Sequence, residues 1–328
     1  METRVAAPSR RRLASAGERA EAAELVFDRA TKVYGVGAPA VDELSLTVPA
    51  GELCALVGPS GGGKTTALKL VNRLVELTSG DVRLDERSIK TLDATELRRG
   101  IGYVIQQVGL FPHLTIEENI GTVPRLYGRS KDWRRVRSHE LLELVGLDLS
   151  YAKRYPSQLS GGERQRIGLA RAVAANPWLM LMDEPFGAID PIVRAHLQDE
   201  FLRLQREVRK TVLFVTHDID EAIKVGDRIA ILGPGGRLAQ YDTPENILKR
   251  PANAFVADFV GRDRALKALA LRTLGELELR TATDGIPAPR TMTLRDALSL
   301  LIAERADVLS VTDDDGRVLG SLTKDDLA

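Results

Sequence analysis

The segment with the clearest chemical meaning is the glycine-rich run Gly58-Pro59-Ser60-Gly61-Gly62-Gly63-Lys64-Thr65. It follows an apolar stretch and precedes a helix-like run that begins at Thr66. Glycines let backbone N–H groups turn inward around phosphate oxygens, and the N-terminus of the following helix adds its dipole. The segment therefore predicts a nucleotide-binding loop in which Lys64 reaches the β- and γ-phosphates and Thr65 ligates Mg²⁺, with Thr66 beside them. A flexible glycine-rich turn is the alternative interpretation.

A second candidate is the run Leu179-Met180-Leu181-Met182-Asp183-Glu184. Its four apolar residues predict a buried strand that delivers two carboxylates to its C-terminal end, where open parallel sheets bind ligands. Because successive strand residues point in opposite directions, the two carboxylates are expected to have different tasks. We expect Asp183 to lie beside Mg²⁺ and Glu184 to polarise the attacking water as general base. Taken alone, the run could be an ordinary strand end.

The third candidate is Leu159-Ser160-Gly161-Gly162-Glu163-Arg164-Gln165, which predicts a second anion-binding helix end. Ser160 would cap the helix, while Gly161 and Gly162 leave its first N–H groups uncovered. One ATP has a single γ-phosphate, and the first loop already holds it from one side. We therefore expect this helix end to bind nucleotide held by another copy, so that a two-fold homodimer encloses two ATP molecules. An ordinary capped helix is the alternative.

The elements that must position these residues alternate between short apolar runs and amphipathic helical stretches, which is typical of an α/β fold. Strands that are apolar throughout are expected in the centre of the sheet, and the alternating run 44–48 is expected in an antiparallel edge layer. The predicted strands are Leu25–Asp28, Leu44–Val48, Leu53–Val57, Ile101–Ile105, Leu179–Met182, Val212–Thr216 and Arg228–Leu232.

Residues 113–175 are predicted to form a mostly helical insert. Thr115 with Glu118 forms one capping box, and Ser160 with Glu163 forms another. A long helix is expected to begin at Asp190-Pro191. Its apolar stripe is predicted at Val193, Leu197, Phe201, Leu204 and Val208.

The chain divides by pattern into three parts. Residues 1–22 are predicted to be a disordered leader rich in alanine and arginine, and residues 23–261 to form the α/β domain with its helical subdomain. Residues 262–328 are predicted to be a linker followed by a small β-α-β-β unit from about 286. Thr293 with Asp296 would cap its helix.

Composition narrows the class of protein. Of 328 residues, 44% are hydrophobic and 28% charged, and 46 basic residues balance 46 acidic ones. This balance argues against a protein whose main task is to coat nucleic acid. The single cysteine, Cys54, excludes an internal disulfide and is expected to be a buried core residue. No stretch reaches the roughly 18 uninterrupted apolar residues of a membrane-spanning helix.

The ordered set of motifs resembles the ATP-binding subunits of ABC transporters. The set comprises the phosphate loop, Gln106, the run 159–165, Asp183-Glu184, Ala188-Ile189-Asp190 and His217, and the resemblance covers residues 24–261. It implies a P-loop NTPase core with an antiparallel β layer and a helical subdomain. It also implies ATP and Mg²⁺ as ligands.

The resemblance assigns further roles. It implies that Tyr34 stacks on adenine and that Gln106 ligates the metal and links metal and water to a membrane partner. His217 would hold the γ-phosphate and position Glu184, and Asp190 would couple the two sites across the dimer. As alternatives, Tyr34 could be a packed aromatic, Gln106 a surface amide, and His217 a residue that merely flanks a helix.

The segment 102–120 resembles the subgroup that serves importers of glycine betaine, carnitine, choline or proline. That subgroup often carries a C-terminal CBS module, which residues 286–328 resemble. There, Thr323 would face phosphate and Asp326 ribose. CBS motifs usually work in pairs, and the sequence contains one convincing copy. Two subunits could pair theirs, or the module could be vestigial.

The implied partners follow from this class. The resemblance predicts a homodimer on integral-membrane permease subunits and an indirect link to an extracytoplasmic substrate-binding protein. Leu110 and Phe111 lie in a loop bounded by glycine and proline and could form an exposed apolar patch for a partner's helix, or they could pack under the helical insert. It places the chain peripherally on the cytoplasmic face of the membrane, with no nucleic-acid partner. The rival interpretations are an importer subunit for another solute, such as an amino acid, a soluble ABC-type ATPase, and a nucleotide sensor that acts through its tail.

Overall fold

Most strands of the protein form where the sequence has apolar runs. The structure is a computed structural model, which describes residues 22–105, 109–187, 190–281 and 284–327. The leader, residues 1–21, and Gln106 lie outside the described residues. The strands are β1 Leu25–Lys32, β2 Val41–Val48, β3 Leu53–Val57, β4 Ser79–Leu84, β5 Arg87–Ser88, β6 Ile101–Val104, β7 Leu179–Asp183, β8 Thr211–Val215, β9 Arg228–Leu232, β10 Leu238–Asp242, β11 Ile286–Pro289, β12 Val308–Thr312 and β13 Val318–Thr323.

Helices occupy most of the intervals between the strands. They are α1 Lys64–Val71, α2 Ala94–Arg99, α3 Ile116–Ile120, α4 Thr122–Leu126, α5 Lys131–Leu144, α6 Gly161–Val173, α7 Pro191–Val208, α8 Ile219–Val225, α9 Pro244–Lys249, α10 Ala254–Val260, α11 Arg264–Leu269 and α12 Leu294–Ala303. In the ranges that the structure describes, every helix is either too short or too polar to cross a bilayer.

The chain forms two compact units, and the boundary between them crosses β3 after Cys54. The first unit contains residues 22–54 and 63–216, and the second contains residues 55–62 and 217–327. The division at residue 262 that the sequence predicts stays a prediction.

The first unit contains the parallel strands that carry the second motif. β7 lies between β6 and β8, with Leu179 opposite Ile101 on one side and Thr211 on the other. The apolar residues of β7 and all residues of β8 are buried, as the sequence predicts for central strands. Their parallel pairing brings the C-terminal ends of the three strands to one edge.

An antiparallel layer accompanies these strands in the order β2-β1-β4-β5. The sequence predicts this layer from the alternation in β2, which buries Leu44, Leu46 and Val48. Both β1 and β2 are longer than predicted, and β4 and β5 are not predicted at all. Residues of β4 such as Val82 are buried because they pair with β1, where Val82 lies opposite Phe27.

Aromatic packing supports α7 in the first unit. The rings of Phe186, Phe201 and Phe214 lie with centroids 5.9–6.2 Å apart. Of the predicted stripe of α7, Leu197, Phe201 and Leu204 are buried, whereas Val208 is half-buried and Val193, in the first turn, is 42% exposed.

Residues 113–175 are mostly helical, as predicted. Both predicted capping boxes are present, one at Thr115 for α3 and one at Ser160 for α6. The hydroxyl of buried Ser138 on α5 donates to the carbonyl of Glu117 on α3 at 3.1 Å. This bond fixes two helices of the subdomain to each other.

The second unit combines three strands in the order β10-β9-β3 with a separate three-stranded sheet, β11-β12-β13. β10, which the sequence does not predict, pairs antiparallel with β9. The C-terminal elements run β11-α12-β12-β13, matching the predicted β-α-β-β order, and Thr293 caps α12 as expected. Their core is a cluster of buried apolar residues, which are Leu274, Ala288, Leu294, Ala297, Leu301, Leu309, Val311, Leu322 and Leu327.

Candidate active site

The first part of the phosphate loop, residues 58–62, belongs to the second unit and is folded around Gly58. Its φ of +154° places the position of a Cβ only 2.4 Å from the carbonyl oxygen of Leu232. Any side chain at residue 58 would collide with that backbone. The N–H of Gly62 donates to the carbonyl of Pro59 at 3.1 Å, which closes a tight turn. Ser60 and Gly61 at its tip are exposed.

The second part of the loop opens α1 in the first unit. Gly63, at the N-cap, has a φ of +81°, and a Cβ there would lie 2.1 Å from the carbonyl oxygen of Ala40. Glycine is therefore required at residue 63, and it has no side chain with which to cap the helix. The N-cap residue therefore makes no side-chain hydrogen bond to the first turn of α1, which suits an anion site at a helix N-terminus.

Lys64 is buried and lies close to two carboxylates. The residue as a whole is only 7% exposed. Burial lowers the pKa of Lys64, and the negative charges of Glu184 and Asp183 act in the opposite direction. A bound polyphosphate would add negative charge beside the ammonium group and offset the cost of burying it.

Thr65 and Asp183 are joined directly. The Thr65 hydroxyl donates to Oδ1 of Asp183 at 3.1 Å. Burial raises the pKa of Asp183, Glu184 raises it further, and the Thr65 hydrogen bond acts to lower it. A hydroxyl and a carboxylate are hard oxygen donors of the kind that hold Mg²⁺ together with substrate phosphates. The residues present therefore fit the metal that the motif implies.

The backbone leaves the strand conformation between Asp183 and Glu184. β7 ends at Asp183, and Glu184 has a φ of +45°, in the left-handed region that non-glycine residues rarely adopt. Its N–H donates to Val215 at 2.9 Å, and its carbonyl accepts from Gly187 at 3.1 Å. The different tasks expected of the two carboxylates stay a prediction, and the backbone leaves the strand geometry on which that expectation was based. Strained residues of this kind cluster at functional sites.

Tyr103 is a neighbour of the site that the sequence interpretation missed. In the parallel register Tyr103 lies opposite Leu181, so it shares a face of the sheet with Asp183. Burial, together with the charge of Asp183, raises the pKa of Tyr103 to about 12. The phenol is therefore neutral at physiological pH. Only the pairing register of β6 with β7 reveals this neighbour, and no local motif gives that register.

The third motif forms the exposed beginning of α6. The hydroxyl of Ser160 accepts from the N–H of Glu163 at 3.3 Å, and the Glu163 carboxylate accepts from the N–H of Ser160 at 2.6 Å. Tyr151 donates to the other carboxylate oxygen of Glu163 at 2.6 Å. These hydrogen bonds, that of Tyr151 first, lower the pKa of Glu163. Ser160 and Gly161 are exposed, and Gly162 is half-buried.

The remaining predicted residues lie at the surface. Tyr34 is 52% exposed, with the Lys32 ammonium 5.1 Å from its ring centroid, so it is not packed in the core. Asp190 is exposed, and its carbonyl accepts from Arg194 at 2.8 Å as α7 begins. His217 is exposed two residues after β8. The structure thus brings Lys64, Thr65, Asp183 and Glu184 together; the roles assigned to Tyr34, Asp190 and His217 stay predictions.

Comparison with known proteins bears on the family to which the chain belongs. The family model described as ABC transporter matches residues 41–187. The carnitine transport ATP-binding protein OpuCA of Listeria monocytogenes is 48% identical over 295 residues, which are 90% of this chain and 73% of that protein. The chain belongs to the ABC transporter family.

Two further ABC transporter relatives extend the comparison. The osmoprotectant import ATP-binding protein OsmV of Salmonella typhimurium is 49% identical over 86% of this chain and 73% of its own length. The glycine betaine uptake system ATP-binding protein YehX of Escherichia coli is 44% identical over 92% of this chain and 98% of its own length. A dimeric, post-hydrolysis structure of the ATP-binding cassette MJ0796 with ADP and Pi is 35% identical, with a TM-score of 0.60, over 67% of this chain and 98% of that one.

Proposed function

We propose that this chain is the ATP-hydrolysing subunit of an importer for quaternary ammonium osmoprotectants, namely glycine betaine, carnitine or choline, or for proline. The observation that carries the proposal is the identity of 44–49% with subunits named for carnitine, osmoprotectant and glycine betaine transport, shared over 86–92% of the chain. The solute itself would be selected by a separate permease and its binding protein.

The chemistry follows from the four residues that the fold brings together. The loop around Lys64 would hold the polyphosphate, and Thr65 with Asp183 would hold Mg²⁺. When bound, the metal neutralises charge on the phosphoryl oxygens. Glu184, the second carboxylate close to Lys64, would accept a proton from the attacking water. The resemblance adds Gln106 as a metal ligand that senses the partner, and His217 at the γ-phosphate.

Two copies of the chain are proposed to close on two ATP molecules. In each composite site, one copy would supply the phosphate loop and Tyr34, and the other would supply Ser160, Gly161 and Gly162. The exposure of Ser160 and Gly161 at the beginning of α6 supports this proposal, since that helix end is open to a partner. Asp190 would transmit closure from one site to the other. Hydrolysis would then reopen the dimer.

The permease contact is proposed at the loop 109–115, on the cytoplasmic face of the membrane. Phe111 is 42% exposed, yet its backbone is held firmly. The side chain of fully buried Asn119 accepts from the N–H of Phe111 at 2.7 Å and donates to the carbonyls of Phe111, Leu114 and Thr115 at 3.0–3.1 Å. An apolar ring on a rigid, exposed support suits the docking of a partner helix.

The C-terminal elements are proposed to be a single CBS-like regulatory module. Their β-α-β-β order supports this proposal. The Asp326 carboxylate accepts from the N–H and the hydroxyl of Thr323 at 2.8 and 2.7 Å, and Arg280 also donates to it. A nucleotide at this position would have to exchange these internal bonds for its own.

The decisive experiment is reconstituted transport. The chain would be copurified with its permease in vesicles containing ATP, and uptake of labelled glycine betaine, proline and methionine would be compared. We expect uptake of glycine betaine that requires ATP and is lost with Glu184→Gln. Uptake of methionine without glycine betaine would overturn the solute class. The absence of ATP hydrolysis in the intact complex would overturn the whole proposal.

A further inference from the structure

The most informative feature outside the ATP site is the side chain of Lys267 on α11. Its ammonium group donates to the carbonyl of Val260, where α10 ends, at 3.0 Å. It also contacts the carboxylates of Asp220 at 3.0 Å and Asp263 at 3.4 Å. The Lys267 side chain is only 12% exposed, whereas those of Asp220 and Asp263 are 66% and 56% exposed. One partly buried cation therefore joins three elements of the second unit.

Asp220, one of the two carboxylates that Lys267 contacts, lies three residues after His217 in the chain. It lies in the first turn of α8, which Asp218 caps by accepting from the N–H groups of Asp220 and Glu221 at 2.9 and 3.3 Å. His217 immediately precedes that cap. The cap therefore ties the backbone of Asp220 to Asp218, the residue that follows His217.

The helix that carries Lys267 also contacts the C-terminal module. Leu269, two residues further along α11, packs against the module's core, which includes Leu274 and Leu294. The six-residue helix α11 thus contacts the module through Leu269 and the first turn of α8 through Lys267. Without such contacts, a helix this short is marginal in water. Its position therefore depends on its packing against neighbouring elements, these two contacts and α9 among them.

Electrostatics keep the bridge in its charged form. Burial by itself lowers the pKa of Lys267, but its contacts with Asp220 and Asp263 outweigh burial and raise the pKa above its usual value. The ammonium group is therefore retained throughout the physiological pH range. A neutral side chain of similar length would fill the space but leave α8 without this anchor.

We propose that Lys267 is a positioning residue for His217, and that α11 is the element through which the C-terminal module acts on that histidine. The inference rests on the proposed function, in which His217 contacts the γ-phosphate. Lys267 touches neither nucleotide nor metal in this scheme. Its removal should therefore slow hydrolysis while leaving the binding of ATP by the phosphate loop intact.

The first test compares Lys267→Met with the wild-type full-length chain in steady-state ATP hydrolysis. We expect kcat to fall roughly tenfold, because small misplacements of a catalytic group are costly, while the KM for ATP changes less than twofold. Lys267→Arg, which keeps the charge, should retain most of kcat. The matched control is Lys249→Met, which breaks the exposed 2.6 Å pair with Glu245 on α9 and should leave kcat unchanged.

A second variant makes the test independent of damage to the fold. Asp220→Asn changes an exposed side chain, and it should reproduce the loss of kcat with unchanged ATP affinity and melting temperature. The double variant Lys267→Glu/Asp220→Lys should recover part of the activity that Lys267→Glu loses. A normal kcat in both Lys267→Met and Asp220→Asn would overturn the proposal.

The link to the module is tested by combining substitutions. Leu269→Asp should lower kcat in the wild-type background but have no further effect in Lys267→Met, because both act along one route. If the two substitutions lowered kcat independently, so that their fold losses multiplied in the double variant, the role of α11 would be overturned. A wild-type chain without ATPase activity would instead refute the proposed function. An active wild type with unaffected variants refutes only this inference.

Discussion

The hydroxyl of Thr65 donates a hydrogen bond to the carboxylate of Asp183 over 3.1 Å, although 118 positions separate the two residues in the chain. The bond joins the first turn of α1 to the C-terminal end of β7. It places two oxygen donors side by side. The metal site that the motifs imply is therefore preorganised by the fold.

Thr65→Val is expected to weaken the contribution of Mg²⁺ to ATP binding. Valine keeps the branched shape but removes the hydroxyl, so affinity in the presence of Mg²⁺ should fall at least about tenfold. ATP affinity in EDTA should be unchanged, since the backbone of the loop is intact. Calorimetric titrations with and without Mg²⁺ measure both, and Thr65→Ser is the control. Equal affinities for the valine and serine variants would refute the metal role.

Glu184→Gln is expected to bind ATP normally and to hydrolyse it about 10²–10⁴ times more slowly, since the amide cannot accept a proton. Phosphate release under single-turnover conditions measures the chemical step. Glu207→Gln is the matched control, because that carboxylate is 49% exposed and pairs with Arg203 on the surface of α7. If Glu184→Gln turned over at the wild-type rate, another group would have to be the base.

The dimer is expected to accumulate when hydrolysis is blocked. With ATP, Glu184→Gln should elute at twice the mass of the chain, and adding Ser160→Arg should return it to a monomer by obstructing the beginning of α6. Light scattering after size exclusion gives the masses. Ser157→Arg places the same side chain at a nearby exposed position and should leave the dimer intact. A dimer that tolerates arginine at 160 would contradict the composite site.

Lys210 gives a prediction on pH. Burial, with a smaller effect of Arg137, lowers the pKa of Lys210 from 10.5 to about 8. At pH values between about 8 and 10.5, Lys210 is more often protonated in the unfolded chain than in the folded one. The contribution of Lys210 to the free energy of unfolding therefore rises with pH over this range. Lys210→Met should lack this rise and, at pH 7, unfold with a free energy about 1–3 kcal/mol higher.

Urea denaturation of the wild type and Lys210→Met at pH 7 to 10 measures the difference between them. Lys249→Met is the control, since Lys249 is 57% exposed. A constant difference between wild type and Lys210→Met across that range would show that Lys210 does not titrate in the folded chain as expected.

The strands that the sequence predicted are those whose burial is visible in their composition. β3, β7 and β8 are continuous apolar runs, and the structure buries all their apolar residues. β4 begins with Ser79-Gly80-Asp81 and β10 mixes polar and apolar residues, so neither has a local signal. They become strands because β1 and β9 offer them unpaired edges, which is a tertiary effect.

The site divides in the same way. Lys64, Thr65 and Asp183 were predictable because each lies in a local motif that fixes its surroundings. The left-handed backbone of Glu184, the register that places Tyr103 beside Asp183, and the bridge from Lys267 to Asp220 depend on contacts between distant segments. No periodicity or spacing in a single sequence reports such contacts. They require coordinates.

The burial of Cys54 has a practical consequence for spectroscopy. The thiol is the only one in the chain, and its residue, the second of β3, is 1% exposed. Maleimide dyes and nitroxide labels should therefore react with cysteines introduced on the surface while the native thiol stays in place. A label pair on two copies could then follow closure and reopening by fluorescence transfer or electron resonance, without first replacing a core residue.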